Sequence, residues 1–134
     1  PIDINLAKQL NILLGNLGVP DERILVDPTV ASLGYGLEYC YSVMERDRMA
    51  ALTQEDERLQ FPILCNIGKE VWKIKEAKIS QDEAPLLGDP PRRGILLEAM
   101  TAVILLLAGG DILIMRHPDA VQLVRGFIND LMGN

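Results

Sequence analysis

The sequence predicts an α/β fold in which three parallel strands alternate with four main helices. Three short apolar runs, within residues 24–29, 61–68 and 111–118, each end in polar residues and precede a helical pattern. The runs are continuous and do not alternate with polar residues, which is typical of strands covered on both faces. Alternation of helix and strand favours right-handed crossovers, and therefore a parallel sheet whose strand ends lie along one edge.

Length and composition fit one globular domain, or a fragment of one, over residues 1–134. Hydrophobic residues make up 49% of the chain and charged residues 24%, which excludes a disordered or fibrous protein. The net charge of −6 and the dispersed Lys and Arg residues argue against nucleic-acid binding. Cys40 and Cys65 have no partner at metal-binding or redox spacing, and no secretory leader is visible, so we expect a cytoplasmic protein.

The first two helices show apolar residues at helical spacing. The first is predicted from about Ile4 to the glycines at 15 and 18, with Asp3 as its N-cap. Its leucines are expected to form one apolar stripe of a covering helix. They are Leu6, Leu10, Leu13, Leu14 and Leu17. The second helix is predicted over about 37–52, with Cys40 as a small residue of the core face.

Two connections are candidates for function. The loop at 29–36 contains Gly34 and Gly36, which let the backbone approach a partner, although an ordinary strand-to-helix connection fits equally well. Residues 69–93 form a connection long enough for a lid or a binding loop. Trp72, the only tryptophan, lies there, either in a lid or interface or in a small cluster that pins a surface loop.

The third helix, predicted over about 94–108, is apolar on nearly every face and must be covered on two sides, inside this protein or by a second one. Residues 95–115 are long enough to span a bilayer, but they divide into a helix, a glycine stop and a strand. Pro118 is well placed to start the last helix, and His117 could simply be its cap.

Exposed strand edges favour a closed sheet over a small open one, because apolar edge strands invite pairing with other chains. We therefore interpret the chain as the C-terminal part of a TIM (β/α)8 barrel whose remaining strands lie upstream of Pro1. Functional side chains of such barrels come from the carboxyl ends of the strands. Here these positions hold Asp27, Thr29, Cys65, Asn66, Arg116 and His117.

Four segments carry a resemblance to a known family. They are LNILLGNLGVPDERILVD at residues 10–27, PTVASLGYGLEYCYSVMER at 28–46, and the segments 62–76 and 112–118. Together they resemble the C-terminal part of the small, or delta, subunit of the corrinoid iron–sulfur protein of the acetyl-CoA decarbonylase/synthase (carbon monoxide dehydrogenase/acetyl-CoA synthase) system. The resemblance implies a TIM-barrel subunit in a heterodimer with a large subunit, which alone carries the iron–sulfur cluster and also has a corrinoid-binding domain.

The activity implied by the resemblance is methyl transfer in anaerobic one-carbon metabolism. A corrinoid (cobamide) containing cobalt and shared with the large subunit takes a methyl group from methyltetrahydrofolate through a separate methyltransferase. The group then passes to acetyl-CoA synthase in the reductive acetyl-CoA (Wood–Ljungdahl) pathway of carbon fixation. Because the cofactor carries the reaction, the chain is expected to be a non-catalytic methyl-carrier subunit without catalytic residues.

The resemblance gives the six strand-end residues the role of lining the cofactor site. Thr29 and Asn66 would hydrogen-bond corrin amide side chains, and Asp27 would accept from amide N–H groups. Arg116 would donate to amide oxygens or pair with the partner's acidic surface. His117 would support these contacts as a donor, because one histidine without a further motif is weak evidence for cobalt ligation.

Two readings from other functional classes remain open. Asp27 and Asn66 are polar types that recognise the edge of a pterin ring, so a pterin-binding methyltransferase barrel is one alternative. A purely structural docking subunit is the other, and the apolar helix at 94–108 favours it.

Overall fold

A computed structural model describes residues 2–133, and this part of the chain is mostly helical. The helices are α1 (Ile4–Asn16), α2 (Leu37–Thr53), α3 (Ile67–Val71), α4 (Lys75–Lys78), α5 (Pro90–Leu107) and α6 (Pro118–Met132). The strands are β1 (Leu64–Asn66) and β2 (Ile112–Ile114). Short 3₁₀ turns cover Asp21–Arg23, Val30–Gly34, Glu57–Leu59 and Pro85–Leu87.

The predicted three-stranded barrel portion is wrong. Within residues 2–133, β1 and β2 form a two-stranded parallel sheet. The first predicted strand contributes one parallel bridge, between Val26 and Ile63. Val26 N donates to Pro62 O at 2.9 Å, and Val26 O accepts from Leu64 N at 2.9 Å. In the described part of the chain, six α-helices and this small sheet replace the expected part of a TIM barrel with three strands and four helices.

The chain turns away from the sheet directly after Val26. Asp27 Oδ1 accepts a hydrogen bond from Val30 N at 3.0 Å, which closes a local turn. Pro28 has no N–H to continue a ladder, and Thr29 adopts a left-handed conformation with a φ of 63°. These local features end the apolar run in a bridge before it can extend into a strand.

The long connection predicted at 69–93 is folded and anchored by one buried arginine. α3 and α4 occupy its first half, and Arg93 is only 7% exposed. The Arg93 guanidinium donates to four carbonyl oxygens, which belong to Leu87 (3.1 Å), Glu76 (2.9 Å), Ile79 (2.7 Å) and Gly88. These four bonds tie the connection to the first turn of α5, because a buried guanidinium requires partners for its N–H groups.

The core surrounds β1 and the inner face of α5. α5 begins at Pro90, upstream of the predicted start at Gly94, because Asp89 caps it by accepting from Arg92 N at 3.1 Å. The buried core comprises Val30, Cys40, Met44, Ile63, Cys65, Ile67, Val71, Ala99, Ala102, Leu105, Ala120 and Val124. The sheet thus lies among α2, α3, α5 and α6.

The outer face of α5 is exposed, so the expected cover on both sides is absent from residues 2–133. Leu96 is 44% exposed, Met100 60% and Leu107 66%. None of the described helices is long and apolar enough to cross a membrane. Residues 95–115 instead form the expected helix, glycine stop and strand.

The leucine stripe of α1 also lies at the surface. The helix begins as predicted, with the Asp3 carboxylate accepting two main-chain N–H groups of the first turn. Asn11 faces inward, however, and donates to Arg58 O at 2.7 Å. This bond orients α1 so that Leu13 is 55% exposed and Leu17 81%. The periodicity identified the helix correctly, and a polar contact decides which face is buried.

A second arginine ties α2 to the start of β2. Arg48 Nη2 lies 2.5 Å from Asp111 Oδ2, which also accepts from Ile63 N at 2.8 Å. Arg48 Nε donates to Gly109 O at 3.1 Å. Gly109 has a φ of 105°, and a Cβ there would come within 2.8 Å of Arg48 Nε, so this turn requires glycine.

Asp47 is the one buried carboxylate within residues 2–133 that lacks hydrogen bonds. It is 2% exposed on α2, and neither of its oxygens has a partner. Burial raises the pKa of Asp47 to about 6; the neighbouring Arg48 opposes this shift and Asp56 adds to it. The folded state therefore holds a proton on Asp47 over a pH range in which the unfolded chain has released it.

Replacing Asp47 with Asn is expected to stabilise the protein at neutral pH. The unfolded carboxyl ionises near pH 4 and the folded one near pH 6, so its cost to folding grows between these values and is fully present above them. In urea titrations of the intact protein, Asp47→Asn should raise the free energy of unfolding at pH 7.5 by roughly 2–3 kcal/mol. The gain should shrink towards pH 4, and Asp82→Asn in an exposed turn is the control. An equal gain at both pH values would contradict this account.

The exposed leucines of α1 are expected to make the 134-residue chain self-associate. Leu13→Lys with Leu17→Lys should shift the chain towards the monomer in analytical ultracentrifugation, because it removes contiguous apolar surface. Helical content in circular dichroism should not change. Gln9→Lys with Asn16→Lys adds the same charge at exposed polar positions of α1 and should leave association intact; an equal effect of both pairs would assign it to charge alone.

Candidate functional site

Five of the six predicted site residues follow the carboxyl ends of the parallel segments. Asp27 and Thr29 come after the Val26 bridge, Asn66 ends β1, and Arg116 and His117 follow β2. Parallel segments that pair side by side present these ends at one edge. We call these five residues, together with the pocket described below, the carboxyl edge.

The sixth, Cys65, lies in the core. Its side chain is fully buried, and its Sγ is 3.4 Å from the position that a Cβ on Gly110 would occupy. Burial raises the pKa of the Cys65 thiol to about 12, and the nearby Cys40 and Asp27 add to the shift. Cys65 is therefore a neutral core residue. Cys40 is buried beside it as predicted, with its pKa also raised to about 12 by burial.

A pocket of about 370 Å³ opens between α1 and the turn after Val26. Its walls are mostly aliphatic, and three polar side chains interrupt them. The lining residues are Ala7, Leu10, Asn11, Leu14, Leu25, Val26, Asp27, Thr29 and Ala31. Asn11 was not among the residues predicted from the sequence, because the leucines around it hide its inward position. An aliphatic wall with a few polar groups suits a ligand that has an apolar body and hydrogen-bonding substituents.

Thr29 stores strain at this pocket. A β-branched residue rarely adopts positive φ, and Thr29 has φ and ψ of 63° and 48°. Such a conformation costs on the order of 1–3 kcal/mol. The Thr29 hydroxyl is buried without a hydrogen-bond partner. Both features mark this turn as a place where the fold gives up stability, as binding sites often do.

Asn66 presents an amide at the end of β1. It occupies the N-cap position of α3, but its side chain makes no capping hydrogen bond. The residue is half-buried. The amide oxygen and NH2 group are therefore available to a ligand, one as acceptor and the other as donor.

Glu98 lies behind the other end of the carboxyl edge. It is completely buried on α5, and its carboxylate accepts from Trp72 Nε1 at 2.7 Å, from His117 N at 3.1 Å and from Arg116 N. These bonds satisfy a carboxylate that would otherwise be costly to bury. Glu98 thus fixes the main chain between β2 and α6.

Trp72 packs against the same segment. Its ring is stacked on His117 with centroids 5.9 Å apart and an interplanar angle of 21°. The Arg116 guanidinium lies 5.5 Å from the centre of the Trp72 ring, within cation–π range. His117 Nδ1 accepts from Asp119 N at 3.2 Å. His117 is therefore the N-cap of α6, which the sequence had offered as an alternative to a site residue. We call Trp72 and Glu98 the Trp72–Glu98 seat.

Two glycines make room for this arrangement. A Cβ on Gly68 would lie 2.6 Å from Arg116 N, and a Cβ on Gly94 would overlap the Trp72 ring. Sequence reasoning missed Glu98 as part of the site. The available signal was a single carboxylate inside a helix that is otherwise apolar, which must have buried partners.

Within residues 2–133, no three His, Cys, Asp or Glu side chains are close enough together to hold a metal ion. The polar groups at the carboxyl edge are an amide, a hydroxyl, a carboxylate, a guanidinium and an imidazole. Such a set can hydrogen-bond the amide or carboxylate substituents of a larger ligand.

Comparison with known proteins gives one consistent result. Residues 1–128 match the family described as CO dehydrogenase/acetyl-CoA synthase delta subunit. The chain is 44% identical to the acetyl-CoA decarbonylase/synthase complex subunit delta of Methanopyrus kandleri, over 92% of this chain and 30% of that protein. It is 38% identical to subunit delta 1 of Methanosarcina thermophila, over 99% of this chain and 31% of that protein. The chain therefore spans about 30% of the length of these relatives.

Gly68→Ala is expected to displace the segment that carries Arg116. The new methyl group would overlap the Arg116 main chain, and overpacking of this kind costs about 1–3 kcal/mol. The free energy of unfolding of the intact protein, measured in urea, should fall by that amount. Gly126→Ala in α6 meets nothing within 4 Å and is the matched control, with no loss expected. Equal stability of the two variants would contradict the close approach of Gly68 and Arg116.

Proposed function

Because the chain belongs to the CO dehydrogenase/acetyl-CoA synthase delta subunit family, we propose that its carboxyl edge covers a corrinoid during methyl transfer. Membership of this family confirms the resemblance seen in the sequence. The relatives are named as subunits of an acetyl-CoA decarbonylase/synthase complex. We propose the same complex for this chain, in the acetyl-CoA pathway of anaerobic one-carbon metabolism.

The observation that carries the proposal is the pairing of an aliphatic pocket with hydrogen-bonding groups that the protein leaves unused. Thr29 has a buried hydroxyl without a partner, and Asn66 makes no capping bond. A corrin ring has an apolar body fringed by amide side chains, which matches these groups in chemistry. The residues present therefore fit a corrinoid whose cobalt is not ligated by this chain.

A corrinoid, when bound, supplies a cobalt centre that accepts and releases a methyl group. This chain's residues would bind, orient and exclude water. Asp27 already uses Oδ1 for Val30 N, which leaves Oδ2 to accept from an amide N–H. Arg116 would donate to an amide oxygen, and the leucines of the pocket would shield the ring edge from water. None of these roles makes or breaks a covalent bond, so we propose a non-catalytic methyl-carrier subunit.

The proposed partners follow from the resemblance to the same family. A large subunit would hold the iron–sulfur cluster and share the corrinoid, and a methyltransferase would load it from a methylated pterin donor such as methyltetrahydrofolate. Acetyl-CoA synthase would receive the methyl group. A cytoplasmic location accompanies this proposal.

Two other functions each have one observation in their favour. Asp27 and Asn66 both offer free hydrogen-bonding groups at the carboxyl edge, which would also suit a pterin ring. Methyl transfer from methyltetrahydrofolate to free corrinoid by the intact subunit alone would favour that function. The exposed leucines and Met100 on the outer face of α5 suit a docking subunit. Loss of the heterodimer after Met100→Glu, with corrinoid affinity retained in the remaining complex, would favour docking.

Thr29→Ala combined with Asn66→Ala tests the proposed function. In the reconstituted heterodimer the pair should weaken cobamide binding by about tenfold to a hundredfold, because two hydrogen bonds of about 1 kcal/mol or more are lost. Titration of the corrinoid absorption spectrum measures the affinity. Thr53→Ala with Asn129→Ala, at exposed helical positions, is the matched control. Unchanged affinity in the Thr29 and Asn66 pair would remove both residues from the site.

A further inference from the structure

We propose that the Trp72–Glu98 seat positions Arg116 and His117 for contact with the ligand at the carboxyl edge. This inference rests on the proposed function, since it assigns positioning residues to the same corrinoid site. Neither Trp72 nor Glu98 would touch the corrinoid. They act through the main chain and side chains of the two residues that do.

Glu98 accepts most of its hydrogen bonds from the segment of Arg116 and His117. Two of its three donors are consecutive main-chain N–H groups, those of Arg116 and His117. A buried carboxylate is expensive when it replaces an aliphatic side chain in the middle of an apolar helix. Here two of the three hydrogen bonds that the carboxylate accepts come from the segment between β2 and α6. A residue needed only to fill space between α5 and this segment would not have to be charged.

Trp72 lies against the side chains of both residues. Its indole N–H donates to Glu98 at 2.7 Å while its ring contacts both His117 and Arg116. The indole therefore holds both side chains of the pair, and Glu98 holds both of their main-chain nitrogens. Glycine at positions 68 and 94 lets this contact close, as described above.

Arg116 stays available to a ligand. Its side chain is exposed, and it makes no ion pair among residues 2–133. Stacking on Trp72 restricts the guanidinium without using its N–H donors, so less conformational entropy is lost when a ligand binds. The charged groups that face His117 are Glu98, Arg116 and Asp119, whose Oδ2 lies 4.0 Å from Nδ1.

The chain provides its own probe for the seat. Trp72 is the only tryptophan and His117 the only histidine. Because the two rings stack with centroids 5.9 Å apart, the indole ring current should shift the imidazole proton resonances of His117 away from those of an exposed histidine, measured at one neutral pH. Glu98→Gln keeps the size of the side chain but places an NH2 group against N–H donors, and should reduce this ring-current shift at least twofold. Glu76→Gln on the exposed surface of α4 is the matched control.

The same variants are then compared for cobamide binding in the reconstituted heterodimer. Glu98→Gln should weaken binding about tenfold, which corresponds to about 1.4 kcal/mol. Trp72→Phe keeps a ring that can stack on His117 but lacks the N–H donor, and it should also weaken binding. If Glu98→Gln does not fold, the cobamide affinity of Trp72→Phe tests the positioning role instead. For Trp72→Phe the orientation of His117 is followed by the imidazole proton resonances.

The outcomes separate the two proposals. Wild-type cobamide affinity in a folded Glu98→Gln or Trp72→Phe variant overturns the positioning role. So does weakened affinity with an unchanged ring-current shift, because the effect would then bypass His117. If the wild-type heterodimer binds no cobamide at this edge, the proposed function fails, while an altered ring-current shift in the variants still supports the seat as the device that orients Arg116 and His117.

Discussion

One buried carboxylate joins the parts of this structure that are distant in sequence. Glu98 on α5 binds the Trp72 indole after α3 and the main chain between β2 and α6. Without this carboxylate, three N–H donors would be left unpaired, each at a cost of about 1–3 kcal/mol. Glu98 therefore adds a polar connection to the apolar core that packs α3, α5 and α6 together, and it fixes one end of the carboxyl edge.

Elsewhere in the fold, two arginines pair main-chain carbonyl oxygens, as Glu98 pairs main-chain N–H groups. Arg93 donates hydrogen bonds to four carbonyl oxygens of the 69–93 connection. Arg48, on α2, donates to the carbonyl oxygen of Gly109. The guanidinium suits both places because it offers five N–H donors in one plane. A sheet with only two strands leaves much of the backbone outside any ladder. Polar side chains supply the partners that further strands would otherwise provide.

Local patterns predicted local structure well and tertiary orientation poorly. Asp3 caps α1, Pro118 starts α6, and both strands fall within the predicted apolar runs, because these depend on neighbouring residues. The face that α1 buries could not be read from its leucines, since the contact of Asn11 with Arg58 decides it. The missing third strand has a similar cause. The periodicity and apolar character of residues 24–26 carry no information about the turn that Asp27 closes with Val30.

The carboxyl edge has two halves, one around Arg116 and His117 and one around Thr29. Ligand binding would change the structure and hydrogen bonding of these halves to different extents. Around Arg116 and His117 the backbone donors are already paired with Glu98, so binding there costs little reorganisation. Around Thr29 the backbone is strained and a hydroxyl is buried without a partner. A hydrogen bond to that hydroxyl would recover part of a desolvation cost of about 1–3 kcal/mol that the free protein already bears. A ligand that spans both halves would therefore be oriented by the half around Arg116 and His117 and would gain affinity from a hydrogen bond to the Thr29 hydroxyl.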